Sequence, residues 1–250
     1  MIFINLEKRK VTKKNILVFK HMPSQNPGIF RDFAESQNVN FIEIDLYAGD
    51  KIPDLKDFDG LWVMGGSMNV WEEDIYPWLI EEKKAIRYAV EDLKMPFLGI
   101  CLGHQLLAVA MGGKAIDTGR YEVGLFEIEP TEEGLNHPLL KNLKDSEKWV
   151  NAHLVEVIEA PKNAIILATS EHCQNHVMQL GENAYSCQFH PEVCSHTLDG
   201  WMKIPGVPDF FDELSANGID DLTSSITENL GVNNRASSVL FENWCNLVFN

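Results

Sequence analysis

The chain has 250 residues, 45% of them hydrophobic and 23% charged, enough apolar material to bury a sizeable core and an ordinary balance for a globular protein. Its formal charge of −16 repels phosphate backbones and anionic membrane surfaces, so neither nucleic acid nor membrane is expected as a partner. Five cysteines without a Cys-x-x-Cys pair suit a reducing compartment, and no apolar run could span a bilayer, so a cytoplasmic location is expected. Residues 1–14, with Lys8-Arg9-Lys10 and Lys13-Lys14, read as a solvated lead-in.

Residues 15–20 read as a buried strand, 27–36 as a helix and 40–46 as an alternating strand. Residues 59–64 are the next strand and 77–93 a helix with charges on one face. A strand over 96–100 then feeds a helix over 102–111. Alternating strands and helices imply right-handed parallel crossovers and an open, mostly parallel twisted sheet flanked by helices, in which sites form at the carboxyl ends of strands. After Gly112-Gly113 the pattern changes to short apolar runs at 124–128, 155–158, 164–168, 176–180 and 184–189, which read as an antiparallel extension. Residues 194–250 read as helical and loop-rich. They close with a helix over 236–249 whose apolar stripe is Val239, Leu240, Trp244, Leu247 and Val248, expected to lie on the same domain.

Two segments carry chemistry. Phe97-Leu98-Gly99-Ile100-Cys101-Leu102-Gly103-His104-Gln105 is an apolar strand that stops at a cysteine between two glycines and turns helical, so the sulfur projects from a tight bend. Cys101 also sits at a helix N-terminus, where unpaired N–H groups favour a thiolate. Further on, Gln188-Phe189-His190-Pro191-Glu192 places His190 and Glu192 two apart on an extended segment, on the same side of the chain, as a base and its orienter. The N–H of Leu102, next to the nucleophile, is a candidate donor to an oxyanion.

Gly-Ile-Cys-Leu-Gly-His-Gln, followed by Gln-Phe-His-Pro-Glu, resembles the class I, triad-type glutamine amidotransferases. Leu61-Trp62-Val63-Met64-Gly65-Gly66-Ser67 agrees with that resemblance, and the ordered motifs match from about Asn15 to Glu192. Within the family, Leu46-Tyr47-Ala48-Gly49, Trp71-Glu72-Glu73-Asp74 and Tyr76-Pro77-Trp78 look like the free-standing GMP-synthase-like members. The resemblance implies a flavodoxin-like amidotransferase domain over residues 15–193, with 194–250 as a helical extension. It implies a Cys101-His190-Glu192 triad that hydrolyses the glutamine side-chain amide, an oxyanion loop at Gly65-Gly66, and substrate contacts from Gly65, Gln105 and His153. The chain carries no Walker-type phosphate loop, so an acceptor or synthetase would be a separate subunit.

The segment Ala152-His153-Leu154-Val155-Glu156 departs from the His-Gly-Asp-like pattern of relatives, keeping the histidine and losing a glycine and an acid. A lost carboxylate no longer pairs with an amino group, which leaves a γ-glutamyl hydrolase acting on γ-glutamyl amines as an alternative. A catalytically silent regulatory subunit is the third reading. Glu122 reads equally as an orienter of local backbone or a solvated carboxylate, and His104 as packing. The groupings His190/Cys194/His196 and His172/Cys173/His176 lack the paired spacing of structural zinc sites, so no metal and no other cofactor is assigned.

Overall fold

The computed structural model describes residues 12–144, 147–204, 206–214 and 218–249. Most of the expected lead-in, including Lys8-Arg9-Lys10, lies outside the described residues. The elements are β1 (Lys14–Lys20), α1 (Phe30–Ala34), β2 (Val39–Asp45), β3 (Gly60–Val63), α2 (Trp78–Arg87), β4 (Phe97–Ile100) and α3 (Leu102–Ala110). They continue as β5 (Lys114–Pro130), α4 (Glu132–Leu135), β6 (Glu147–Glu159), β7 (Ala164–Thr169), β8 (Val177–Leu180) and β9 (Ala184–Cys187). The chain closes with α5 (Ser195–Trp201), α6 (Val207–Leu214) and α7 (Ile219–Phe249).

The strands form one nine-stranded sheet in the order β2-β1-β3-β4-β9-β8-β7-β5-β6. Pairs from β2 through to β9 are parallel, and from β9 to β6 they are antiparallel. Strand β9 is therefore the junction: antiparallel to β8 but parallel to β4, with Ile100 opposite Cys187. This pairing returns the chain from the antiparallel half to the edge of the cysteine turn.

Alternation along the strands divides the core into two layers. Leu17, Phe19, Leu61 and Val63 face α2 and α3, packing with Leu79, Ile86, Leu106 and Leu107. Ile16, Val18 and Trp62 face the other way, against Phe30, Phe241 and Trp244. Each such fully buried side chain contributes roughly 1.5–3 kcal/mol relative to exposure.

Several boundaries differ from the sequence reading. The helix expected over 27–36 begins at Phe30, because Gly28 adopts φ +49° and the turn before the helix lies against Glu192, with Ile29 N–H donating to Glu192 O at 3.0 Å. The helix expected over 77–93 is α-helical to Arg87 and continues as a wider π turn over Tyr88–Asp92. The runs at 124–128 and 155–158 belong to strands of 17 and 13 residues. Their length was hidden because polar residues and a register shift between Asp117 and Glu122 interrupt the apolar pattern. Helix α7 has 31 residues and buries Leu222, Ile226, Asn233, Ala236, Ser237, Leu240, Phe241, Trp244 and Cys245; of the expected stripe Leu240 and Trp244 are buried, while Val239, Leu247 and Val248 are half-buried beside them.

Candidate active site

Cys101 occupies the turn between β4 and α3 at φ +51° and ψ −102°, a conformation that costs energy for a side-chain-bearing residue and is held by its surroundings. Its N–H donates to Cys187 O at 2.9 Å, and its carbonyl accepts from the N–H groups of His104 and Gln105. The flanking glycines are required by close approach. A Cβ on Gly103 would lie 2.0 Å from Val63 O, and one on Gly99 would lie 2.6 Å from Gly103 O. Leu102, the first residue of α3, has no intrahelical acceptor for its N–H.

The β4–β9 register delivers the second segment to this turn. Gln188 Nε2 lies 3.6 Å from Cys101 Sγ. Three backbone anchors fix the stretch from His190 to Glu192: His190 N–H donates to Val150 O at 2.8 Å, Ser237 Oγ to Pro191 O at 2.6 Å, and Ile29 N–H to Glu192 O. His190 Nδ1 meets Glu192 Oε1 at 2.7 Å, both side chains are buried, and the imidazole also interacts with the Cys101 sulfur. Burial opposes a charge on His190, but the Glu192 carboxylate and the Cys101 sulfur outweigh it and raise its pKa from 6.5 to about 10. Trp201 of α5 packs edge-on against the ring at 4.9 Å, a contact with no signature in the local sequence.

The Gly65-Gly66 loop comes after β3 and passes close to both partners. A Cβ on Gly65 would lie 3.1 Å from His190 Cε1, and one on Gly66 would lie 2.8 Å from Leu102 Cδ2. A cavity of about 310 Å³ opens here, lined by Cys101, His190, Gly66, Gln105 and His153, with Met68, Trp201, Ile204, Val207 and Phe211 as an apolar wall. A second cavity, of about 350 Å³ near α4, does not include the cysteine in its lining. Gln25 also lines the first cavity. It is buried, and its Oε1 has no hydrogen-bond partner among the described residues, so it is an acceptor available to a bound molecule that sequence reading missed.

Other side chains singled out from the sequence take more mixed positions. Gln105 lines the cavity, but its amide nitrogen is committed to Val155 O at 2.9 Å and Gln188 Oε1 at 3.3 Å. His153 lines the cavity while its Nε2 bonds Glu122 Oε2 at 2.9 Å. Glu122 is not a solvated carboxylate: it is 1% exposed and accepts from His153, His176 and Ser170. Burial pushes its pKa up, yet these hydrogen bonds prevail and hold it below the usual carboxylate range. His104 is fully buried against Ser186 Oγ, and burial lowers its pKa to about 3, so its ring is neutral. His176 thus joins Glu122 and His153, with their ligand-type atoms within 4.8 Å of one another, in place of the grouping with His172 and Cys173 considered from sequence. Protons suffice there, since Glu122 Oε2 accepts one N–H from each ring.

The turn, the histidine–carboxylate pair and the parallel sheet beneath them define an α/β protein built around a cysteine elbow. A model of the class I glutamine amidotransferase family matches residues 25–202, and the chain belongs to that family. It is 35% identical over 153 residues to a glutamine-hydrolysing GMP synthase subunit of Sulfolobus acidocaldarius, covering 60% of this chain and 74% of that protein. It is 31% identical over 187 residues to the glutamine amidotransferase-like protein YfeJ of Salmonella typhimurium, covering 73% and 77% of the two chains. The structure of a glutamine amidotransferase from Thermotoga maritima superposes with a TM-score of 0.80 at 26% identity, covering 93% of this chain and 98% of that one. One from Methylobacillus flagellatus gives 0.81 at 25% identity, covering 95% and 96%.

Proposed function

We propose that this amidotransferase hydrolyses the side-chain amide of glutamine through Cys101, His190 and Glu192 and releases ammonia for an acceptor bound to a separate synthetase subunit. The observation that carries the reading is the buried His190–Glu192 pair against a strained cysteine elbow. The Cys101 thiolate attacks the glutamine Cδ, and the carbonyl π electrons move to oxygen, where Gly66 and Leu102 N–H groups receive the charge. His190 gives its proton to the departing nitrogen as the C–N bond breaks, leaving a γ-glutamyl thioester. Acylation also removes the thiolate, one of the charges that raise the His190 pKa, so the ring that has given up its proton more readily stays neutral and is available to accept a proton from the water that attacks the thioester. Glutamate leaves and the thiolate returns.

A separate synthetase subunit fits the GMP synthase relatives, and a cytoplasmic site of action fits five unpaired cysteines among the described residues. No helix among the described residues is long and apolar enough to cross a membrane.

One observation favours a second reading. The wall of Met68, Trp201, Ile204, Val207 and Phe211 would suit an apolar amine on the γ-glutamyl group better than ammonia. The deciding experiment incubates the purified chain with glutamine and with a panel of γ-glutamyl amines, measuring glutamate and free amine, beside Cys101→Ala. The amidotransferase reading expects glutamine turnover that Cys101→Ala abolishes. Rapid cleavage of an apolar γ-glutamyl amine with poor glutamine turnover would replace it with the hydrolase.

A further inference from the structure

The face that α2 turns to the sheet carries Leu79, Glu82 and Ile86, spaced as core residues, and all three are fully buried. A carboxylate in the middle of this stripe is costly unless it is paired, and an apolar side chain there would serve stability as well or better. Its partner is His21, the residue after β1, also fully buried. His21 Nε2 meets Glu82 Oε1 at 2.8 Å, and the ring stacks on Trp78 with centroids 5.4 Å apart and planes at 10°. The other ring nitrogen, Nδ1, lies 2.8 Å from Gly65 O. A carbonyl oxygen only accepts, so Nδ1 carries a hydrogen and donates it. Both nitrogens are engaged and one face is stacked, which leaves the imidazole no freedom to turn.

The carbonyl it holds belongs to the same peptide unit as the Gly66 N–H. There are no cis peptide bonds among the described residues, so the C=O and N–H of this unit point in opposite directions and fixing one fixes the other. Two consecutive glycines otherwise give the backbone its greatest torsional freedom, including the freedom to rotate the unit and carry the N–H away. The packing agrees: a Cβ on Gly66 would stand 2.9 Å from His21 Cβ and 2.8 Å from Leu102 Cδ2, so the glycine is clamped between the histidine and the residue after the nucleophile. The Gly66 N–H has no backbone acceptor among the described residues.

We infer that His21, held by Glu82, is a positioning residue that locks the Gly65–Gly66 peptide with its N–H directed at the oxygen of the tetrahedral intermediate. The inference rests on the glutamine-hydrolysis reading above. Burial lowers the His21 pKa, but Glu82 and the neighbouring carbonyls outweigh it and raise it.

The test compares wild type with His21→Leu, His21→Asn and Glu82→Gln. Asparagine places an N–H where Nδ1 stands, leucine offers none, and Glu82→Gln leaves a polar partner for Nε2. Each variant is assayed for glutamine kcat and KM, for inhibition by the aldehyde analogue of glutamine, glutamate γ-semialdehyde, and for Cys101 alkylation by iodoacetamide. Thiol addition to the aldehyde forms the S–C bond and a tetrahedral oxygen, so this inhibitor probes the oxyanion donors. His21→Leu should lose about 10- to 100-fold in kcat, below the full loss of a donor, with KM nearly unchanged. Its affinity for the aldehyde should fall in parallel while the alkylation rate stays near wild type. His21→Asn and Glu82→Gln should recover much of the loss. If His21→Leu does not fold, His21→Asn and Glu82→Gln still decide: a large loss of aldehyde affinity in both would overturn the inference. So would a His21→Leu enzyme with wild-type kcat, or a loss confined to KM. Failure of the wild-type chain to hydrolyse glutamine would instead sink the underlying activity, a result visible before any variant is compared.

Discussion

At His190 the proposed chemistry depends on a charge that burial makes expensive. The His190 pKa is raised from 6.5 to about 10, so its proton contributes stability that is fully present below pH 6.5 and is lost as pH rises through about 10. In the proposed mechanism the same proton is the one given to the departing ammonia. Glu192→Gln removes the carboxylate that raises this pKa, so the alkaline limb of the acylation rate should move to lower pH while measurable activity remains. His190→Ala should be nearly inactive. Stopped-flow acylation monitored from pH 6 to about 10 checks this, and superimposable limbs in wild type and Glu192→Gln would contradict the assigned roles. Thiol chemistry has its own contrast. Burial raises the thiol pKa of Cys173 and Cys187, and raises that of Cys245 to about 12, whereas Cys101 opens onto the cavity. A glutamine-like diazoketone should therefore label Cys101 before those three, as peptide mapping would show.

Among elements, the junction of β5, β6 and β8 is tied by side chains rather than by ladder bonds alone. Glu122 on β5 accepts from His153 on β6, from His176 just before β8, and from Ser170. Replacing it with leucine leaves two buried imidazole N–H groups without an acceptor, each at a cost of about 1–3 kcal/mol, so Glu122→Leu should destabilise by about 2–6 kcal/mol, read from urea unfolding. A change under about 0.5 kcal/mol would show that the network is not structural. Because the Glu122 pKa is depressed, its contribution is present above its ordinary value of 4.5 and fades as pH falls below it. Acid titration of stability should accordingly be shallower in the variant. His153 stands both in this network and in the cavity wall, so damage to the junction should also raise KM.

Across the whole molecule, the C-terminal helix joins the core to the site. Trp244 and Phe241 of α7 pack on Trp62, and Trp244 Nε1 donates to Phe97 O at 3.3 Å, while Ser237, further back on the same helix, holds the peptide between His190 and Glu192. Trp244→Ala should cost about 3–5 kcal/mol, read as a lowered denaturation midpoint. A wild-type midpoint would show that the helix does not share the core. At the same scale, an amidotransferase that ran freely without an acceptor would waste glutamine. The isolated chain should hydrolyse it slowly and be accelerated by the proposed synthetase partner, measured as glutamate release with and without cell extract. Fast turnover unaffected by extract would oppose the coupled reading.

The sequence alone determined the parts whose cause is local. A two-residue period marks strands, a 3.6-residue period marks helices, and a cysteine between glycines can form a sharp turn because steric room is a property of neighbours. The elbow at Cys101 and the pairing of His190 with Glu192, two residues apart, were legible on those grounds. Local pattern failed where polar residues serve distant partners. Glu122 looks like a surface acid until His153 arrives from β6 and His176 from the turn before β8, and Glu82 looks like one charge among many on α2 until His21 meets it from just after β1. Likewise, only the parallel register of β4 on β9 decides that His190 faces Cys101, and only the fold of residues 195–211 brings Trp201 and Phe211 over the cavity. Burial, and the pKa shifts and fixed hydrogen bonds that come with it, is a property of the packed molecule; no window of sequence contains the segments that supply it.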